Sequence, residues 1–132
     1  MASNRKTGNR FEEEFSQVLF QNGFWVHKLT QNEAGQPADI IAVKNGNAYL
    51  IDCKVCAYNK FPLSRIEDNQ YTSMELWGEC NNGTAWFALD CRGDVYMISY
   101  DKLCELVYET SVLQYEDIQE YGTPLGRWVQ QC

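Results

Sequence analysis

Asn45-Gly46 lies between two runs rich in Ile, Val, Leu and Tyr, one ending at Lys44 and one starting at Asn47. An Asn-Gly pair between such runs is a strong hairpin signal, because both central positions of the turn need a positive φ. A two-residue turn there fixes the register: Lys44 faces Asn47, and Asp39 faces Asp52. Strand side chains alternate between faces, so Lys54 shares the face of Asp52. Two carboxylates and one ammonium are thereby brought to one patch of a sheet.

Like charges opposite each other destabilise a sheet, and a bound divalent cation removes that penalty. Hard cations such as magnesium take carboxylates together with substrate phosphates and water. A lysine beside them can stabilise negative charge on a phosphate or hold the attacking water. These residue types therefore point to metal-assisted hydrolysis of a phosphodiester. A surface hairpin with charges on its wet face would carry the same pattern, since alternating polar residues are ordinary on half-exposed strands.

The charge of the whole chain argues against a generic nucleic-acid binder, because 132 residues carry a net charge of -7. The distribution is uneven. Residues 1–65 hold eight Lys/Arg and six Asp/Glu, and residues 66–132 hold three and twelve. Arg5, Lys6, Arg10, Lys60 and Arg65 cluster in sequence around the proposed patch and are the candidate DNA contacts. DNA could approach that side with the acidic half turned away, although an ordinary acidic cytosolic protein has a similar balance. With 45% hydrophobic residues the chain can build a packed core, and residues 1–132 are expected to form a single domain. No apolar run approaches the ~20 residues that span a bilayer, and no apolar signal-peptide core follows the basic N-terminus. A cytoplasmic protein with no membrane partner is expected. Cys53 and Cys56 have C-x-x-C spacing, but no second pair matches it and His27 is the only histidine. On a strand the two thiols diverge, and Cys53 faces away from Asp52 toward the core.

Helical periodicity runs from Ser3 to Asn22, with Phe11, Phe15, Val18 and Leu19 on one stripe. Glu12 and Glu14 border the stripe on opposite edges, and the wheel does not choose between them as a further ligand. An acidic first turn also simply favours the helix dipole. A strand is expected over Phe24 to Leu29 and a loop over Thr30 to Gln36, ahead of the hairpin. Ser64 with Glu67 reads as a capping box opening a helix that runs to about Glu79. Ile66, Met74 and Trp77 form its apolar stripe and Gln70 lies within it, serving either the site or a neighbouring backbone group. Strands over Thr84 to Leu89 and Val95 to Ser99 follow, then short helices at Asp101 to Tyr108 and Glu116 to Tyr121. That order fits an α/β domain with a central mixed five-stranded sheet flanked by helices.

Pro37-Ala38-Asp39 followed by Asp52-Cys53-Lys54 resembles the signature of the PD-(D/E)xK nucleases, and implies their restriction-endonuclease-like fold. More specifically, the chain resembles Holliday junction resolvases of that class. Lys6-Thr7-Gly8-Asn9-Arg10-Phe11-Glu12 is similar to the archaeal Hjc resolvases. Phe61-Pro62-Leu63-Ser64-Arg65-Ile66, with Gln70 beyond it, is similar to the RecU resolvases of Gram-positive bacteria. Trp86-Phe87-Ala88-Leu89 and Val95-Tyr96-Met97-Ile98 match the last strands of the latter, and Gly122-Thr123-Pro124-Leu125 matches its end weakly.

The resemblance implies a Mg2+- or Mn2+-dependent endonuclease acting on branched, four-way DNA as a homodimer. It selects Glu12 over Glu14. It implies Asp39, Asp52, Glu12 and the carbonyl of Cys53 as metal ligands, Lys54 as the catalytic lysine and Gln70 as a positioning group. Tyr49, Tyr58, Phe61, Trp77 and Trp128 in the sequence are either apolar surface for a subunit contact or all core. Three features depart from the family. The second acid is aspartate where glutamate is usual, Leu29 to Asp39 leaves no room for a RecU-type stalk, and the chain is acidic where resolvases are basic. Its economy would suit a phage or prophage gene. A less specific endonuclease on duplex, nicked or flap DNA, and a non-catalytic DNA- or protein-binding module, are the competing expectations.

Overall fold

The structure, a computed structural model, describes residues 4–30 and 37–132, and side chains from Thr7 onward. Helix α1 (Asn4–Gln21) leads through a turn at Gly23 into β1 (Trp25–Lys28). The hairpin follows as β2 (Ile40–Lys44) and β3 (Asn47–Val55), with Asn45 and Gly46 both at positive φ. Its register is the expected one, Lys44 opposite Asn47 and Ile40 opposite Ile51. After the two-residue strand β4 (Phe61–Pro62) come α2 (Asp68–Trp77), β5 (Trp86–Cys91), β6 (Asp94–Ser99) and α3 (Tyr100–Leu106). The chain then forms β7 (Val112–Leu113), α4 (Tyr115–Tyr121), β8 (Thr123–Pro124) and α5 (Leu125–Gln131).

The main sheet has the order β1-β2-β3-β5-β6-β8, and only the β3–β5 pair is parallel. It is therefore mixed, as expected, but has six strands rather than five. The sixth, β8, pairs Thr123 with Met97 and Pro124 with Tyr96. Two residues are too few to show a period of two, and proline, which has no N–H to donate, is tolerated because β8 is an edge. β4 and β7 form a separate small ladder.

Apolar side chains cover both faces of the sheet. On one face Phe11, Phe15 and Leu19 of α1 pack with Ile40, Ile51, Ala88, Met97 and Trp128. On the other, Met74, Leu103, Leu106 and Ile118 pack with Leu50, Phe87, Leu89 and Ile98. Cys53 belongs to the first layer and Cys56 to the second, so the two thiols diverge. All six cysteines are free. Of the five aromatic residues that the sequence left as either subunit contact or core, four are packed. Phe61 and Trp128 are buried, Tyr49 stacks edge-on against Trp128 at 5.2 Å, and Trp77 lies against the second layer. Only Tyr58 is open to solvent.

The start of α2 differs from expectation. Leu63–Arg65 forms one tight 3-10 turn, and Ile66 is extended with ψ at 116°. Burial of Ile66 takes precedence over continuing the turn, so Ser64 cannot cap the helix. Glu67 takes the N-cap position, and Gln70 is its capping-box partner.

Gly122 sits where a Cβ would come within 2.6 Å of the Ile118 carbonyl oxygen and 3.1 Å of Tyr96 Cβ. Gly122→Ala should lower stability in urea melts by roughly 1–3 kcal/mol, the usual cost of overpacking. Gly126→Ala, inside α5 with nothing among the described residues within 4 Å of the new Cβ, should instead keep or raise the urea midpoint.

Candidate active site

β3 is a central strand of the main sheet, flanked by β2 and β5. The middle of a sheet is a costly place for charge, yet Asp52 is only 4% exposed there. Asp39 stands just ahead of β2 and is also buried. Its backbone N–H donates to the Ile51 carbonyl at 3.0 Å, continuing the hairpin ladder. Its Oδ2 accepts the backbone N–H of Cys53 at 2.7 Å. The carboxylate therefore spans from one strand to the peptide between Asp52 and Lys54.

Lys54 Nζ lies 3.1 Å from Asp52 Oδ2, with both side chains largely withdrawn from water. The contact is an ion pair without hydrogen-bond alignment, and Asp52 Oδ2 remains a buried oxygen with no hydrogen bond. Burial raises the Asp52 carboxyl to about 7, helped by the charge of Asp39 and opposed by Lys54. Glu12 of α1 is also raised to about 7, by burial and then by the charge of Asp39, with which its carboxyl shares a hydrogen bond. Lys28 opposes that shift. The Cys53 thiol is pushed well above its ordinary range, first by burial and then by Asp39, Asp52 and Glu12. Excess negative charge thus accumulates at one end of the hairpin.

The fold therefore sets Asp39 against the Cys53 amide and near Asp52, pairs Asp52 with Lys54, and places Glu12 beside Asp39. Glu14 instead forms a surface ion pair with Arg10 at 3.4 Å. Gln70 is buried, and its Oε1 accepts the backbone N–H of Glu67 at 3.1 Å, the backbone option of the two expected. Lys28, which lies outside the residues the pattern singles out, ends β1 beside Glu12 and pairs with Glu13. Nothing in its local sequence marks it, because only strand pairing carries it there.

A cleft of about 510 Å³ opens on the Cys53 side of β3, with Thr7 and Gly8 of α1 along one side and Cys53 and Val55 of β3 in its lining; the carboxylates and Lys54 do not line it, and it meets them through Cys53, whose amide is bonded to Asp39. Tyr58, Lys60 and Arg65 line it from the segment after β3. Arg65 donates to the Val55 carbonyl at 2.8 Å and lies over the Phe61 ring, so it braces that wall. Lys60 is exposed, and Arg10 does not line the cleft. The side chains of Arg5 and Lys6 lie outside the described residues.

The donor set is oxygen-rich and carries more negative charge than Lys54 alone balances, which fits a hard divalent cation. Asp52 Oδ2, buried with an ion pair to Lys54 but no aligned hydrogen bond among the described residues, fits the same group. Among the described residues, no three His, Cys, Asp or Glu side chains are drawn together as a ready-made metal site. The arrangement instead consists of two aspartates, with Glu12 hydrogen-bonded to one of them.

A mixed sheet covered by helices on both faces, with Asp39 and Asp52-x-Lys54 on one hairpin, defines the class of PD-(D/E)xK nucleases. The profile of the archaeal Holliday junction resolvase (Hjc) family matches residues 3–130, and the chain belongs to that family. Its fold is that of Hjc from Archaeoglobus fulgidus, described as a Holliday junction resolvase from an archaeal hyperthermophile. The two share 16% identity with a TM-score of 0.70, over 92% of this chain and 99% of that one. No curated protein sequence matches this one.

The raised carboxyls determine how the metal-free protein responds to pH. A carboxyl near 7 when folded and near 3.8 when unfolded holds its proton more tightly in the folded state. Its stabilising contribution is therefore greatest at acid pH and is lost as pH rises toward 7, by about 4 kcal/mol at most for Asp52. Melts in EDTA should show wild type losing stability relative to Asp52→Asn between pH 5 and pH 8. Adding Mn2+ at pH 8 should raise the wild-type melting temperature and leave that of Asp52→Asn unchanged.

Proposed function

We propose that residues 1–132 form a single metal-dependent endonuclease domain that resolves four-way DNA junctions by hydrolysing phosphodiester bonds. The observation that carries this reading is the buried convergence of Asp39 and Asp52, with Lys54 Nζ 3.1 Å from an otherwise unbonded Asp52 oxygen. Burying two carboxylates on one hairpin costs stability. A purely structural site has no need of them, whereas a site that takes up a cation does.

Asp39 and Asp52 would hold Mg2+ or Mn2+, with the Cys53 carbonyl as a further oxygen donor and Glu12 joining directly or through water. The bound cation would supply Lewis acidity toward the scissile phosphate and a water of lowered pKa. Asp39 keeps the Cys53 peptide in place through its 2.7 Å hydrogen bond, which fixes the spacing between Asp52 and Lys54. Lys54, paired with Asp52 in the metal-free protein, would turn its ammonium toward the attacking water or the negative charge that develops on phosphate. Gln70 would act as a positioning group, by capping α2 and fixing the segment that carries Arg65. Lys60 would contact phosphate, with Arg5 and Lys6 as further candidates.

Gly8 supports the approach of DNA to this side. It lies inside α1, where glycine destabilises a helix by about 1 kcal/mol relative to alanine. Among the described residues nothing lies within 4 Å of where its Cβ would be, so their packing does not require it. A phosphate backbone entering the cleft would. Gly8→Ala should raise the melting temperature while weakening DNA binding, a combination that separates the two roles.

A four-way junction needs two symmetric cuts, so a homodimer with two identical sites is part of this reading. Phe20 and Trp25 are exposed at 73% and 61%, on the end of α1 and the edge strand β1, and offer apolar surface for a second copy. Among the described residues no helix is long and apolar enough to cross a membrane. Six free cysteines accord with a reducing, cytoplasmic setting.

The deciding experiment is cleavage of an end-labelled panel of four-way junction, flap, nicked duplex, linear duplex and single strand, in Mg2+, Mn2+ or EDTA. Paired symmetric cuts in the junction are expected. Asp52→Asn and Lys54→Ala should each cost at least about a hundredfold in rate, by analogy with the loss of one electrostatic group at an active site. Metal-dependent cutting spread evenly over the panel would replace the resolvase reading with a general endonuclease. No cutting of any substrate would replace it with a binding module.

A further inference from the structure

The cleft that reaches Cys53, next to the carboxylates along β3, has one wall that hydrolysis does not use. Tyr58 stands in the segment between β3 and β4, four residues beyond Lys54, and is 84% exposed. Its backbone is left-handed, with φ 57° and ψ 25°, and Asn59 follows at φ 56°. The left-handed conformation is disfavoured for Tyr58, whereas an asparagine adopts it more readily. Backbone bonds from Asn59 N–H to the Cys56 carbonyl, at 3.3 Å, and from Lys60 N–H to the Ala57 carbonyl, at 3.2 Å, hold the turn. Among the described residues the buried Asn59 Oδ1 has no hydrogen-bond partner. Among the described residues no ring stacks on Tyr58. A strained turn that presents a large aromatic ring to water contributes little to folding, and strain of this kind concentrates at ligand clamps.

The surroundings indicate the ligand. Lys60 is exposed beside the ring, Arg65 lines the same cleft, and the cleft lining reaches Cys53, whose amide is bonded to Asp39. An aromatic face next to cations is the arrangement that binds unpaired or unstacked bases, the ring taking the base and the cations the backbone. In continuous duplex the faces of the bases are covered by their neighbours. At a branch point the stack is interrupted and a base is cheap to displace. We infer that Tyr58 stacks on a base exposed at the branch point and is the residue through which this site prefers branched DNA to continuous duplex. The inference rests on the resolvase reading.

The test uses the full chain in EDTA, so that binding is measured without cutting. Fluorescence anisotropy compares a four-way junction with a linear duplex of the same arm sequence, for wild type, Tyr58→Gly and Tyr58→Phe. Glycine suits the positive φ, so Tyr58→Gly removes the ring without reshaping the turn. Tyr58→Gly should weaken junction binding on the order of tenfold or more, the usual worth of one stacked base, and leave duplex binding unchanged. Tyr58→Phe should retain wild-type selectivity. In wild type, 5-iodouracil at the branch should photocrosslink to Tyr58.

Equal losses on both DNAs, or no loss on either, would overturn the inference while leaving the resolvase reading in place. Conversion of a dimer to a monomer by Tyr58→Gly, seen in sedimentation, would reassign the ring to subunit contact. A wild-type protein with no preference for the junction would overturn the resolvase reading and this inference together.

Discussion

The hydrogen bond from Cys53 N–H to Asp39 Oδ2 is the constraint on which the site depends. It joins the lead-in of β2 to the middle of β3. It holds one carboxylate against the peptide that separates the second carboxylate from the lysine. The cost appears around it, in two carboxyls raised to about 7 and in a buried oxygen without a hydrogen bond. A core that tolerates this is held elsewhere by apolar layers on both faces of the sheet. Phe15, Leu19 and Ile51 on one side and Phe87, Leu89 and Leu103 on the other are essentially fully buried.

The same geometry explains why the protein can be acidic overall and still suit DNA. Of the acidic residues in the first half of the sequence, Glu12, Asp39 and Asp52 are turned inward toward the proposed cation, and Glu13 and Glu14 are paired with Lys28 and Arg10. Lys60 and Arg65 line the cleft, and most of the acidic excess lies after residue 65. Net charge averages over these regions, whereas a ligand meets only one of them.

The hairpin and its register were legible because Asn-Gly allows few turn geometries and a slip by one residue would turn every side chain to the other face. The stripe of Phe11, Phe15 and Leu19 was legible for a similar reason, since helical spacing and burial coincide there. The start of α2 was not. Ser64 and Glu67 have capping-box spacing, and so do Glu67 and Gln70. The burial of Ile66, a tertiary fact, selects the second pair. β8 was not legible because a two-residue strand exists only through its partner β6. The aromatic residues show the same limit: Phe61, Trp128 and Tyr58 look alike in sequence, yet two are core and one is open to solvent.

By itself the sequence determined the element order, the hairpin and the meeting of Asp39, Asp52 and Lys54, because these follow from local turn chemistry and the two-residue period of a strand. Resemblance to known resolvases singled out Glu12. Only the tertiary structure decided that Glu12 reaches Asp39, that Lys28 stands beside it, that Gln70 caps its own helix, and that Tyr58 opens onto the cleft. Those facts depend on how a helix packs on a sheet and on which side chains that packing withdraws from water, and no local spacing encodes either.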